Sequence, residues 1–405
     1  MSTSLNDRLV ELDSLRGFAL FGILTVNLTA FASPYFSSGM TDPRYAGPLD
    51  QAVRVWISLF FEAKFYLLFS FLFGYSFTLQ IEAAERSGAA FVPRFGRRLL
   101  GLAVIGLAHA LLLFPGDILG TYALMGVLLL GLRELEDRYL LRGAIGLIVA
   151  QALLWGGLGA LLLLGPPEGA PDRAAMVEYA MRTEAAYRGD VAAVLAQNWH
   201  ALRTEIWAVL LLLQGPCALA MFLLGLLAGR HQWLATPEIV WQTLRPRLPY
   251  LLLGGLSGAL VYTLTSQSPD YASTALLGLG VGLLTAPLLS AAYLVLLLGA
   301  FRSRVGPLLL RALAPAGRMA LSNYLLQSLI GALLFTGYGL KLQGQLAPLP
   351  TFLLGLGVFV LQLPLSAWWL RHHQYGPLEW LLRAITVAYL PPWRRQAAAS
   401  TPMAS

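Results

Sequence analysis

Five polar residues sit inside or at the mouths of strongly apolar stretches of this 405-residue chain: Asn27, Glu62, Lys64, His109 and Asp117. An ionisable side chain at membrane depth costs roughly 2.5 kcal/mol or more, so such groups normally face a protein interior or a wet cavity and mark a site. When the apolar stretches are threaded through a bilayer in order, all five fall toward the same side. That placement predicts one shared polar chamber. A histidine with a nearby carboxylate suits general acid–base chemistry, because the imidazole ordinarily titrates near neutrality.

Each of these residues also has a structural reading. Lys64 can lean toward the helix N-terminus and snorkel to the surface. His109, the only histidine inside a span, can serve as a helix–helix hydrogen bonder. Asp117 occupies an N-cap position for the helix that follows, and its two oxygens allow it to cap and to orient an imidazole at once. Glu62 and Lys64, two residues apart in the second span, point to nearly opposite helix faces, so their partners must come from other helices.

The elements that position these residues follow from composition. With 57% hydrophobic and 12% charged residues and a mean hydropathy of +0.65, the chain is a polytopic membrane protein, all-α and surrounded by lipid bilayer. Its +7 formal charge is scattered among short loops, which argues against nucleic acid as a partner. Cys217 is the only cysteine, so no internal disulfide and no multi-thiolate metal site can form. His372 and His373 are adjacent and diverge, and no metal-binding spacing is present. Although Ala30-Phe31-Ala32 resembles a signal-peptidase site, the preceding segment lacks a basic n-region, so it is expected to stay as the first span.

Ten runs have bilayer-crossing character: 17–33, 55–80, 98–114, 118–132, 141–164, 206–229, 247–266, 274–300, 317–337 and 350–370. The turn Pro115-Gly116-Asp117 is so tight that its two flanking spans must form an antiparallel hairpin. Most Lys and Arg fall on alternate loops, which predicts that both termini are cytoplasmic, while Arg44, Arg54, Lys64 and Lys341 are among the cations on the other side. Residues 1–405 read as a single integral-membrane domain. Its one long polar connection, 165–205, is expected outside the cytoplasm as two helical stretches, opened by Pro171 and broken at Gly189-Asp190, forming either a solvated hairpin or a lid. Gly225/Gly229 and Gly254/Gly258 permit close helix contact, within the chain or in a homo-oligomer. Pro377, Glu379, Trp380 and Arg383 read as a short interfacial helix carrying a Glu379/Arg383 pair.

At the cytoplasmic ends of the spans, Arg16, Arg97, Arg98 and Arg318 are either topology anchors or, through their guanidinium forks, contacts for a phosphorylated donor. The stretch Leu12-Asp13-Ser14-Leu15-Arg16-Gly17-Phe18 through Val26-Asn27 carries a family resemblance. It continues in Phe61-Glu62-Ala63-Lys64-Phe65, in Gly106-Leu107-Ala108-His109 with Gly116-Asp117, in Gly317-Arg318 through Asn323 to Gln327-Ser328, and in Tyr375-Gly376-Pro377-Leu378-Glu379-Trp380. Together these motifs resemble the YeiB-like family of bacterial membrane proteins (domain of unknown function 418) over nearly the whole chain, with residues 230–395 as its C-terminal region. The resemblance implies the inner membrane and adds Asn323 and Gln327 to the candidate substrate-binding residues Asn27, Glu62 and Lys64.

The first-span pattern is also similar to that of the transmembrane acyltransferase superfamily, which implies transfer from a cytoplasmic donor to an acceptor across the membrane. Where one branch carries a histidine this chain has Asn27. Another branch keeps Asn but places a catalytic histidine between its first two spans, where residues 34–54 contain none. His109, with Asp117, would have to take that role. The leading expectation is acyl transfer from an acyl-CoA-type donor, with no permanently bound cofactor, to a small-molecule, lipid or glycan acceptor. Transport or export of a small polar or amphiphilic solute, and a lipid-binding or assembly scaffold, are the other readings.

Overall fold

The computed structural model describes residues 5–36, 40–165, 173–266 and 272–394. Within hydrocarbon every backbone polar group must find a partner inside its own segment, which turns apolar runs of this length into helices. The first is α1 (Leu5–Ala32), followed by α2 (Pro48–Phe60) and α3 (Lys64–Arg86), which together form the second crossing. The hairpin α4 (Phe91–Leu112) and α5 (Leu119–Leu132) comes next, then α6 (Asp137–Leu164). A polar connection containing α7 (Arg173–Tyr187) and α8 (Val191–Ala201) passes through two π-helical stretches, Leu202–Ile206 and Val209–Gln214, into α9 (Gly215–Arg230). The chain continues through α10 (Pro237–Leu244), α11 (Leu248–Ser266), α12 (Ala272–Phe301), α13 (Gly306–Arg318), α14 (Ala320–Phe335), α15 (Pro348–His372) and α16 (Pro377–Val387). Eight of these segments are long and apolar enough to cross a membrane, and α5 and α14 are shorter apolar helices. The protein is an all-α, multi-pass membrane bundle. Leu153, Leu161 and Leu361 keep 69%, 66% and 71% of their surface uncovered by the chain, as residues facing lipid would.

Helix α1 lies at the centre, its Leu12, Leu15, Leu20, Leu24 and Leu28 buried. It crosses α13 at backbone contact: a Cβ at Gly317 would stand 1.7 Å from the Asp13 carbonyl oxygen, and one at Gly17 would stand 2.3 Å from that of Leu313. Arg16 and Arg318 each adjoin one of those glycines, so this crossing brings both guanidiniums to one cavity. Gly225 is spent within the chain on α3, where a Cβ would meet the Phe71 carbonyl at 2.1 Å, and Gly258 likewise on Thr285 of α12.

Two expectations require correction. The second span is not one continuous helix: it breaks at Phe61–Ala63, with Ala63 at φ +67°. Residues of α12 meet the backbone on either side of the break, the Tyr293 hydroxyl donating to the Phe60 carbonyl (2.7 Å) and the Ser290 hydroxyl to that of Lys64 (2.7 Å). In α16, Glu379 accepts hydrogen bonds from the Ser322 amide (3.0 Å) and hydroxyl (2.5 Å), and Arg383 lies over the Tyr375 ring, so the anticipated Glu379/Arg383 pair gives way to a clamp on the start of α14.

Of the polar connection, Pro171 lies outside the described residues. Asp190 caps α8 by accepting from the Ala193 amide at 2.8 Å, as the Gly189-Asp190 break suggested. The helical pair is docked rather than free in solvent. Arg44 bridges Asp42 and Glu184, the Gly337 amide donates to the Tyr187 carbonyl at 2.7 Å, and the buried Asn198 donates to the Leu111 carbonyl at 3.1 Å. This side of the molecule is called the loop face below, and the opposite side, with Arg98 and α16, the basic face.

Candidate functional site

Two cavities enter the bundle from opposite faces. The loop-face cavity, of about 460 Å³, has a mostly apolar wall from α1, α2, the π-helical turn before α9, α11 and α12. At the helix break it holds Glu62, Lys64 and Ser58, with Tyr262 from α11. Lys64, 2% exposed, donates through Nζ to the Ser58 carbonyl (2.7 Å), an acceptor left open where α2 ends. The Ser58 hydroxyl donates to Glu62 Oε2 (3.0 Å) and accepts from the Thr263 hydroxyl (3.0 Å). Tyr262 interacts with the Glu62 carboxylate, and its ring centroid is 6.0 Å from Lys64 Nζ. Because the helix is interrupted between them, Glu62 and Lys64 share a cavity wall instead of diverging. A non-glycine residue held at an unusual positive φ costs on the order of 1–3 kcal/mol, and such strain clusters at functional sites.

The basic-face cavity, of about 210 Å³, is lined by Arg16, Arg98 and Arg318, with Ser76, Gln80 and Glu379 among its other polar groups. Arg16 pairs with Asp13 (2.6 Å) and also donates to the Ser76 hydroxyl. Arg98 Nε is buried with no hydrogen-bond partner. Burial holds the Glu379 carboxyl above the usual carboxylate range, against the opposing pull of its Ser322 hydrogen bonds. Three guanidiniums against Glu379 and the paired Asp13 leave room for an anion with several oxygens. Arg97 does not join them: its Nε donates to the Thr386 carbonyl at 3.0 Å and ties α16 to α4. The physical reason is helix periodicity, which turns adjacent arginines about 100° apart.

The deep end of this cavity is formed by Ile118, Leu119, Tyr122 and Tyr324. Behind it, fully enclosed, His109 Nδ1 lies 2.8 Å from Asp117 Oδ1 while Asp117 Oδ2 accepts from the Gly120 amide at 2.7 Å. The carboxylate thus caps α5 and orients the imidazole together. With the carboxylate ionised and the ring neutral, Nδ1 carries the proton and Nε2 presents its lone pair. Nε2 is buried without a partner, and the Tyr324 ring stands 5.0 Å from the imidazole between centroids. A Cβ at Gly106, one turn before His109, would meet Asp117 Oδ2 at 2.6 Å, so glycine there allows the carboxylate to close on the helix.

The anticipated single chamber is therefore divided. Glu62 and Lys64 line the loop-face cavity, His109 and Asp117 sit behind the basic-face one, and Asn27 is half-buried and lines neither. Between the cavities is one hydrogen-bonded layer: the Tyr122 hydroxyl reaches the Tyr66 carbonyl (3.2 Å) and the Ser70 hydroxyl (2.7 Å). Tyr66 lines one cavity and Tyr122 the other, and on α1 the corresponding neighbours are Val26 and Ile23. Three residues of helix separate those two, ~4.5 Å along the axis.

Asn323 and Gln327, expected as substrate contacts, line neither cavity. Asn323 donates to the Ala316 carbonyl (3.0 Å) and the Ser366 hydroxyl (2.9 Å), and Gln327 donates to Gln362 Oε1 (2.8 Å), forming a polar ladder between α14 and α15. Buried amides seek such partners because an unmade hydrogen bond in hydrocarbon is costly. Sequence reasoning passed over Tyr262, Tyr324 and Ser58 as site residues and gave Glu379 only an anchoring pair with Arg383. Among the described residues, no three His, Cys, Asp or Glu side chains cluster as metal ligands would.

Residues 228–389 match the family described as Protein of unknown function (DUF418). Over 398 residues the chain is 31% identical to "Uncharacterized protein YxaH" of Bacillus subtilis (strain 168), covering 95% of each chain. It is 29% identical over 403 residues to "Uncharacterized protein YeiB" of Escherichia coli (strain K12), covering 95% of this chain and 98% of that one. No solved structure matches. Similarity that runs the length of both chains, with the family match from the end of α9 through α16, places this membrane protein in the YeiB-like family.

Proposed function

We propose that the protein is an acyltransferase of the bacterial inner membrane, taking an acyl group from a cytoplasmic acyl-CoA-type thioester and passing it to a hydroxyl or amine acceptor. The observation that carries this reading is the Asp117–His109 pair, with its unpartnered Nε2, lying behind Tyr324 at the deep end of the arginine-lined cavity. The basic face is taken as cytoplasmic because cations accumulate on that side of bacterial membrane proteins. Arg16, Arg98 and Arg318 hold the donor's phosphates there. His109 Nε2 removes the proton from the acceptor O–H or N–H as the acceptor attacks the thioester carbonyl carbon. The C–S bond then breaks, and the departing thiolate takes the proton back from Nε2. Asp117 keeps the imidazole in the required tautomer and stabilises its transient positive charge. Tyr324 must move aside for the two reactants to reach Nε2.

Purified protein supplied with acyl-CoA donors and hydroxyl or amine acceptors is expected to form acylated product. Arg98→Gln is expected to raise the donor KM by roughly ten- to a hundredfold with a smaller change in kcat, the effect of losing one charge-assisted phosphate contact. An unchanged donor KM would remove Arg98 from the donor site.

A second reading, transport of a small polar or amphiphilic solute, is favoured by the helix broken at Glu62 and Lys64 and by the cavities entering from opposite faces. It requires the Tyr66–Ser70–Tyr122 layer to open. Proton-dependent uptake into proteoliposomes that vanishes in Glu62→Gln would establish transport in place of transfer, and uptake insensitive to that change would reject the role of Glu62.

A further inference from the structure

The loop-face cavity contains a charge that the bundle leaves unmatched. Arg54 of α2 lines it and uses Nη1 to donate to the Tyr45 carbonyl at 2.9 Å, while its Nε and Nη2 are buried without partners. Those two atoms form the side edge of the guanidinium, the edge that presents two parallel N–H groups to a pair of oxygens on one phosphate or carboxylate. The other charges at the cavity are accounted for. Asp42 is taken up by Arg44, whose amide, Nε and Nη2 all donate to it, and Glu62 is coupled to Lys64 and held by Ser58. Asp42 and Asp50 act on Arg54 only as surrounding charges, and among the described residues none forms an ion pair with it.

Below Arg54 the wall changes character. Val209, Leu213, Leu279 and Leu283 line it, and Val209 is 42% exposed, which gives a chain-like molecule an apolar bed. Val209 and Leu213 belong to a π-helical stretch, a backbone form common at functional sites. The second irregularity, the break at Phe61–Ala63, bounds the same cavity about two turns from Arg54, ~12 Å for eight residues of helix. Its volume of about 460 Å³ falls in the range of small-molecule sites.

We propose that this cavity binds a single-chain amphiphile with one anionic oxo-acid head group, the head seated on the Nε/Nη2 edge of Arg54 and the chain against Val209, Leu213, Leu279 and Leu283. Under the transfer reading this molecule, where it also carries a free hydroxyl or amine, is the acceptor and reaches His109 when the Tyr66–Ser70–Tyr122 layer opens, and only that assignment of role rests on that reading. The binding site stands by itself.

The test is equilibrium binding to the full-length protein in a maltoside detergent, without acyl donor, using 1-oleoyl-lysophosphatidylglycerol, oleate and the uncharged monoolein. At least one of the two anions is expected to bind at least about tenfold tighter than monoolein, and which one does so separates a phosphate from a carboxylate head. Arg54→Gln is expected to erase that preference and Arg54→Lys to keep part of it. Val209→Trp, which fills the apolar bed, is expected to weaken all three probes and serves if Arg54→Gln does not fold. Equal binding of monoolein and both anions, a preference that survives Arg54→Gln, or unaltered binding in Val209→Trp would overturn the proposal. His109→Ala should bind the anions as the parent does. Anion binding without any transfer would therefore count against the enzymatic reading alone, and transfer without anion preference against this site alone.

Discussion

His109→Ala is expected to lower acyl transfer by roughly a hundred- to ten-thousandfold, the range ascribed to a positioned general base, while the protein stays folded and inserted. The folding half of that expectation follows from the surroundings. His109 Nε2 makes no hydrogen bond, so the ring's one strong polar link is to Asp117, which retains its hold on the Gly120 amide when the imidazole is gone. Asp117→Asn separates the two roles. The amide can still cap α5 through its oxygen, but its NH₂ can stand opposite Nδ1 as a donor and favour the other tautomer, leaving Nε2 protonated and unable to accept. Transfer should then fall nearly as far as in His109→Ala with little loss of stability. Steady-state transfer measured beside thermal unfolding distinguishes these effects. An active His109→Ala variant would remove the dyad from the chemistry.

Lys64→Met is expected to destabilise the bundle by roughly 3–5 kcal/mol, the range for removing one member of a buried charged pair. The ammonium, 2% exposed, has two tasks: it occupies the Ser58 carbonyl freed at the helix break and balances Glu62 in a mostly apolar wall. Its loss leaves both without compensation. Glu62→Gln in the same chain should restore part of the stability, because the uncompensated negative charge is then gone. Thermal unfolding of the two single variants and the double variant gives the coupling directly. Additive effects, with no rescue in the double variant, would show that the two residues do not act as a pair.

Much of the architecture was legible because bilayer chemistry leaves few options. Apolar length alone located ten helical segments, and Pro115-Gly116-Asp117 is too short to connect anything except antiparallel neighbours. The dual use of Asp117 also followed from local chemistry, since a carboxylate at an N-cap has a second oxygen to offer. The break at Phe61–Ala63 was not legible. Those residues include neither glycine nor proline, and the hydroxyls that bond the carbonyls flanking the break come from Tyr293 and Ser290, more than two hundred positions away. Arg54 was counted only as a cation on one side of the membrane, since its unmatched edge depends on how Asp42 and Arg44 find each other.

Residue type was a weaker guide within the polar set. Asn323 and Gln327 were candidate substrate contacts only through the family motif, and Ser366 and Gln362 on α15 absorb their donors. Arg97 and Arg98 are indistinguishable in sequence, and only helix rotation assigns one to α16 and the other to the cavity. The division of the expected chamber has the same origin. Sequence position gave each residue a depth, whereas the lateral direction of each side chain depends on which helices neighbour it.

The most direct test of the account is a density map of the protein bound to a non-hydrolysable thioether analogue of an acyl-CoA. It should place the analogue's phosphates against Arg16, Arg98 and Arg318, with the sulfur and the adjoining carbonyl carbon beyond a displaced Tyr324 and facing His109 Nε2. Phosphates bound elsewhere, or a thioether directed away from the imidazole with Tyr324 still closed over it, would contradict the central claim.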